Sequence, residues 1–295
     1  MVLQSVGLPK GSGGQDAIID LNAEAAKLAA VLKQTPMNSE KRKGAIAKLG
    51  SYRDGILLLG TSVGTGAGHW ETHPEDELIH VLDGTRTLDI VCDEGPPRSY
   101  ELRAGTVAVV PRGAWHRFHR GDVAMVMSAV IPGEHIDGDV DDPRKSASDP
   151  AVDLALGRPN IIDLEVEVAK LATFRGMTPQ TTFTDRKDSA ANLGPYRNGI
   201  LFLRKWSGGK THWETHPEDE LVHILNGSVT LDIIEEDRPR SHVLGRGKMV
   251  IVPNSAWHRF HSADGLTAMS ATVPGEHIEL DVDDPRPVER GDQGA

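Results

Sequence analysis

The chain is short of cysteine, aromatic residues, long apolar runs and positive charge, and each shortage excludes something. Cys92 is the only cysteine among 295 residues, so no internal disulfide forms and a reducing, cytoplasmic setting is expected. It carries no site role, since its counterpart in the second half is Glu235. Aromatic residues make up only 4%, so any core must rest on Val, Ile, Leu and Ala within the 38% hydrophobic fraction. No uninterrupted apolar stretch approaches the roughly 18 residues that a membrane-spanning helix needs, so no membrane partner is expected. Met1 to Gln15 is Gly-rich and polar, without the charged start and apolar centre of a secretory signal. Lys and Arg number 32 against 43 Asp and Glu, a net charge of -11. A surface of that sign repels phosphate backbones, which argues against nucleic acid as a partner.

What the chain has is repetition. Ile18-Ile19-Asp20-Leu21 returns as Ile161-Ile162-Asp163-Leu164, and Tyr52-Arg53 with Gly55-Ile56-Leu57 returns as Tyr196-Arg197 with Gly199-Ile200-Leu201. Ala114 to His119 returns as Ala256 to His261, and Pro132 to Ile136 as Pro274 to Ile278. His69-Trp70-Glu71-Thr72-His73-Pro74-Glu75-Asp76-Glu77-Leu78 returns unchanged as His212 through Leu221. Two homologous domains follow. The boundaries expected are a tail over 1–15, a first domain over 16–147, a linker over 148–158, a second domain over 159–288 and a tail over 289–295.

Each unit is predicted to open with a helix, from the spacing of Ile18, Leu21, Ala25, Leu28 and Leu32 and of Ile161, Leu164, Val168 and Leu171. Thr35-Pro36 and Thr178-Pro179 are expected to stop these helices. Short strands between turns fill the rest: 55–60, 78–82, 87–91, 106–110 and 123–127. Asp83-Gly84 and Asn226-Gly227 read as hairpin turns. Many short strands with regular turns imply a sandwich or small barrel. The acidic groups Asp137, Asp139, Asp141, Asp142 and Asp281, Asp283, Asp284 lack the glycine and closing Glu of a calcium loop, and read as solvated turns.

Strand alternation puts His69, Glu71 and His73 on one face, with neighbours two apart separated by roughly 6.6 Å. His69 and His73 lie roughly 13 Å apart, too far to share an ion, so Glu71 and His73 form the better chelating pair. Pro74-Glu75-Asp76 bends the chain and brings Glu77 alongside; Glu75 and Asp76, like Glu218 and Asp219, are expected in solvated turns. The second set is Glu214, His216 and Glu220. Alternation sends Trp70, Trp115, Trp213 and Trp257 to the opposite face, between sheet and helix. His80, His223, His119 and His261 read as structural. Arg53 and Arg197 either bind a substrate carboxylate at the barrel mouth or form a structural salt bridge. His69 and His212 either touch the ligands or the substrate, or stand on the rim.

Two motifs then carry a resemblance. Glu71-Thr72-His73, three residues, Glu77, six residues and Gly84 fit the first cupin motif, except that Glu71 stands where that motif has its first His. Gly105, Pro111, Gly113 and His116 match the second motif in full; Gly247, Pro253 and His258 match it with Ser255 in place of Gly. The chain therefore resembles a bicupin. The resemblance covers both units apart from the opening helices and the termini, and implies an all-β fold of two tandem double-stranded β-helix (jelly-roll) barrels, each with a metal in its mouth; the short helix read from periodicity precedes each barrel. Carried over, the ligands are His73, Glu77 and His116 with Glu71 as a fourth, and His216, Glu220 and His258 with Glu214 as a fourth.

Two imidazoles with carboxylates suit Fe(II) or Mn(II) first, and also Ni(II) or Zn(II). If Glu71 and Glu214 stay off the metal, each is a carboxylate beside it and a catalytic base. The function expected is a metal-dependent enzyme acting on a small organic molecule, with oxygen-dependent, dioxygenase-type oxidation foremost. A metal-dependent isomerase, cyclase or decarboxylase needs the same site, and so does a non-enzymatic metal- or small-ligand-binding cupin. The opening helix could pack within its own unit or across a homodimer. Matching ligand sets give no reason to silence either barrel.

Overall fold

The computed structural model describes residues 18–34, 45–62, 66–91, 95–120, 124–136, 140–145, 158–235 and 238–289. Cys92, Asp137, Asp139, most of the expected linker, the first tail and residues 290–295 of the second lie outside them.

In the first unit, valine-rich segments such as Thr106–Val110 are buried throughout, because each lies in a layer covered on both faces. Six strands form one sheet in the order Asn160–Asp163, Thr106–Val110, Glu77–Asp83, Ala124–Val130, Gly55–Ser62, Ala45–Tyr52. The facing sheet runs Glu134–Ile136, Trp70–Thr72, His116–Arg120, Thr85–Ile90, Arg98–Arg103. Ile79, Val81, Leu88, Ile90 and Leu102 fill the space between the two sheets. The second unit repeats the plan, with Val222, Ile224, Val229, Leu231 and Leu244 inside. The fold is all-β with two jelly-roll barrels.

The two glycine turns are not hairpins. Glu77–Asp83 pairs with Thr106–Val110 and Ala124–Val130, whereas Thr85–Ile90 pairs with Arg98–Arg103 and His116–Arg120 in the other sheet. In the second unit Glu220–Glu235 is one bent strand that serves both sheets. Gly84 and Gly227, at φ 74° and 77°, let the chain step from one sheet to the other and close the barrel.

The opening segments also differ from the periodicity. Ile18–Asp20 and Asn160–Asp163 are strands, and the helices begin after them, at Leu21–Gln34 and Leu164–Lys170. Asp20 and Asp163 accept from the backbone N–H of Ala23 and Val166 at 3.0 and 3.1 Å, capping each helix at its start. The first helix is described to Gln34, and Thr35-Pro36, expected to stop it, lie outside the described residues; the second helix stops well before Thr178-Pro179, and the strand Phe174–Met177 intervenes.

Those opening strands are exchanged between the barrels. Ile18–Asp20 pairs antiparallel with Lys248–Val252 of the second barrel, and Asn160–Asp163 pairs with Thr106–Val110 of the first. Between the barrels lies a shared core in which Tyr52, Leu57, Leu59, Leu78 and Met127 meet Tyr196, Leu201, Leu203, Leu221 and Met269. Each fully buried Leu there contributes about 1.5–3 kcal/mol.

Candidate metal centre

The first barrel gathers its site from three strands. Trp70–Thr72 carries Glu71, cross-strand from His116 at the start of His116–Arg120. Glu77 opens the strand Glu77–Asp83. His73 sits in the bend between, where its carbonyl accepts from the Gly113 N–H at 2.8 Å. Gly113 has φ 73°; in the second barrel Ser255 takes the same left-handed conformation at 59°, and its N–H reaches the His216 carbonyl at 2.8 Å. The motif's glycine is thus replaced while its backbone geometry is kept.

Glu71, His73 and His116 each direct one ligand atom into a group within 4.8 Å, and Glu214, His216 and His258 do the same. Glu71 oxygens lie 3.9 and 3.8 Å from Nε2 of His73 and His116. Glu77 completes the set, with Oε2 at 3.6 and 2.8 Å from the same two nitrogens. Glu220 Oε2 lies 3.7 and 3.1 Å from Nε2 of His216 and His258. Nδ1 of His116 and of His258 donates to the carbonyls of Ala114 and Ala256 at 3.1 and 3.0 Å, which leaves each Nε2 facing the cluster.

The electrostatics favour positive charge at each cluster. Burial alone would lower the His116 pKa, but the short contact with Glu77 and the charges of Glu77 and Glu71 push it up to about 9. His258 is raised likewise, against its burial, by Glu220 and Glu214. Burial pulls the other way on Glu71, yet His69, His116 and His73 hold its carboxyl below the usual range. Glu214 is held low against its burial by His212, Arg204 and His258. His73 Nε2, His116 Nε2 and Glu77 Oε2 are buried without a properly aligned hydrogen bond, as are His216 Nε2, Glu214 Oε1 and Glu220 Oε1. Buried polar atoms in that condition cost about 1–3 kcal/mol each, and a divalent ion would satisfy several at once. The residues fit a metal, and the donor set suits the ions named above.

Other expectations land elsewhere. His69 and His212 stand on the rim beside the carboxylates, with Nε2 3.7 and 3.6 Å from Glu71 and Glu214. Each packs against a second imidazole, His135 or His277, which sequence reasoning passed over. The structure does not bring Arg53 and Arg197 to the clusters. They span the barrels: the Arg53 N–H donates to Asp219 Oδ2 at 2.9 Å, and the Arg197 N–H to Asp76 Oδ2 at 2.7 Å. Nor are Asp76 and Asp219 merely solvated, since their other oxygens hold the Arg112 and Asn254 N–H groups of the ligand turns. Trp70 lies away from the site as expected, but its cover is not a helix. It packs with Val91, Trp115, Ile136 and Val140, donates to the Val140 carbonyl at 2.6 Å and lies 4.5 Å beneath Arg117.

His80 and His223 face away from the ligands and meet across the barrel interface, with ring centroids 5.2 Å apart. Asp89, also overlooked, holds His119 at 2.6 Å and Arg117 at 3.0 Å; Asp232 holds His261 and Arg259 in the same way. Their signal was an Asp recurring within Thr-Leu-Asp-Ile in both copies, at 87–90 and 230–233. Of the acidic turns, Asp142 and Asp284 are bound by Arg144 and Arg286 rather than only by solvent.

In the first barrel a cavity of about 250 Å³ opens over the cluster, with Leu58, Gly60, Phe118 and Val126 among its walls and the Arg86 side chain beside them.

The sequence profile of the Cupin domain matches residues 60–131 and 204–274. A search of curated proteins found no match. Among solved structures, salicylate 1,2-dioxygenase from Pseudoaminobacter salicylatoxidans matches with a TM-score of 0.60 at 11% identity, covering 95% of this chain and 87% of that one. The Cupin 2 conserved barrel domain protein from Leptotrichia buccalis matches with a TM-score of 0.52 at 10% identity, covering 87% and 96%. At these identities the likeness is one of fold.

Proposed function

The chain is a two-barrel member of the cupin superfamily, and from that premise we propose that it is a metal-dependent enzyme acting on a small organic molecule, with dioxygenase-type oxidation as its reaction. The observation that carries this is the meeting of two imidazoles and two carboxylates beneath an apolar-walled cavity in the first barrel.

His73, His116 and Glu77 would hold the ion, with Glu71 as a fourth ligand or as a carboxylate beside it. A bound divalent ion supplies Lewis acidity and, if it is Fe(II) or Mn(II), access to one-electron and oxygen chemistry. Leu58, Phe118 and Val126 exclude water from one side of the substrate, which strengthens every charge interaction inside. Arg86 adds a cation to the wall and favours a substrate bearing an anionic group. If Glu71 stays off the ion, it stands ionised at the rim beside His69 and is placed to accept a substrate proton at a carboxylate oxygen.

The test is elemental analysis of protein purified without added metal, followed by oxygen uptake against diketones, catechols and hydroxy acids. Bound Fe or Mn with oxygen uptake on one substrate class supports the reading. Absence of metal, with no change in thermal stability on adding any divalent ion, sinks it.

A further inference from the structure

The two ligand sets are alike, but what stands in front of them is not. The strand Gly55–Ser62 presents Gly60 towards the cavity of the first barrel. The matching strand of the second barrel places Arg204 there. The correspondence is fixed by pairing: Gly60 faces Ile46 and Val126, and Arg204 faces Ala190 and Ala268. Arg204 approaches both acidic ligands, with its guanidinium nitrogens 3.8 Å from Glu214 Oε1 and 3.9 Å from Glu220 Oε1. The Oε2 atoms of both residues remain turned towards the histidines.

The surroundings follow suit. Leu58 is replaced by Phe202, whose ring lies 5.3 Å from the Arg204 guanidinium and 6.2 Å from Phe183. Residues 35–44, the first repeat's counterpart of the Phe183 segment, contain no aromatic residue. The cavity bounded by Arg204, His212 and Glu214 at the mouth of the second cluster measures about 10 Å³, against about 250 Å³ over the first. The side chains of His69 and Glu71 are 47% and 28% exposed, and those of His212 and Glu214 are 19% and 14%. About 10 Å³ is at the lower limit for a single water and too small for an organic substrate.

We infer that the barrels divide the work: exogenous ligands reach the metal centre of the first barrel, while Arg204 occupies the mouth of the second as an internal cationic partner of Glu214 and Glu220, leaving a closed ion site. This rests on the reading of both clusters as metal centres.

Cobalt(II) and azide test it without any substrate. Cobalt at two per chain would be followed by its visible absorption, and azide added as a small anion that shifts the bands of an ion with an open position. In the parent protein one of the two ions should respond. Arg204→Gly should bring the second into play and roughly double the azide-dependent change, and Gly60→Arg should abolish the first. Arg204→Gly alone decides the matter if Gly60→Arg misfolds. Two responding ions in the parent, or a second ion still silent in Arg204→Gly, overturns the inference. One cobalt per chain also overturns it but leaves the metal-centre reading standing; no cobalt at all overturns both.

Discussion

At the scale of single residues, the unsettled position is Glu71, where the first motif ordinarily has histidine. Its oxygens lie within 4 Å of both ligand imidazoles, a distance from which small side-chain movements bring it onto an ion. Glu71→Ala is expected to weaken Mn(II) binding to the first barrel by at least about tenfold, measured by calorimetry, because it removes a charge next to the ion. Affinity equal to the parent's would show that Glu71 works beside the metal. Ser255 offers a second test. A side chain at φ 59° costs about 1 kcal/mol, so Ser255→Gly should raise stability by about 0.5–1 kcal/mol, read as a small upward shift in Tm. The clustering of Glu71, His73 and Glu77 was legible because strand alternation and the bend after Pro74 act locally, whereas His116, on a later strand, came only with the resemblance to the second cupin motif. Arg204 was not legible: one arginine in an apolar strand says nothing until the facing carboxylates are in place.

At the scale of elements, close approach between strands holds the site. A Cβ on Gly133 would lie 1.9 Å from the Thr72 carbonyl oxygen, and one on Gly275 would lie 1.8 Å from that of Thr215. These glycines let Glu134–Ile136 and Glu276–Ile278 lie against the strands that bear Glu71 and Glu214. Gly133→Ala should cost about 1–3 kcal/mol and displace Glu71, so thermal stability and metal affinity of the first barrel should fall together. A fall in neither would mean that the two strands separate freely. Strand positions were readable because the apolar runs are short and bounded by turn residues. The Asp-Gly and Asn-Gly signals misled, since a left-handed glycine serves a step between sheets as well as a hairpin. Helical spacing likewise extended over Ile18 and Ile161, because a short apolar stretch satisfies strand and helix equally until its partner strand is known.

At the scale of the whole molecule, the barrels share one apolar interface with a histidine pair buried in it. Burial pushes the His80 pKa down to about 3 and that of His223 to about 4, and His223 lowers His80 further. Both are neutral when folded, while an unfolded histidine titrates near 6.5. Their contribution is therefore fully present above about pH 6.5 and is lost as pH falls from there towards 4 and then 3. Within that window each should reduce stability by roughly 1.4 kcal/mol per pH unit. Denaturant unfolding at pH 7, 6 and 5 should show the loss, and the double variant His80→Leu, His223→Leu should be flatter over the same range. A parent profile that is already flat would contradict the burial of the pair. Two domains were evident from the repeat; their exchange of strands was not, because Ile-Ile-Asp fits either barrel's edge equally well. That exchange also bears on synthesis. Residues 158–163 emerge soon after their partner strand 106–110, so the first barrel can complete its sheet while the chain is still growing. Ile18–Asp20 must wait for residues 248–252, made on the order of ten or more seconds later at about 5–20 residues per second. The earliest of the described strands is thus among the last of them to be paired, and a ribosome stalled within the second repeat would carry a first barrel with Ile18–Asp20 still unmatched.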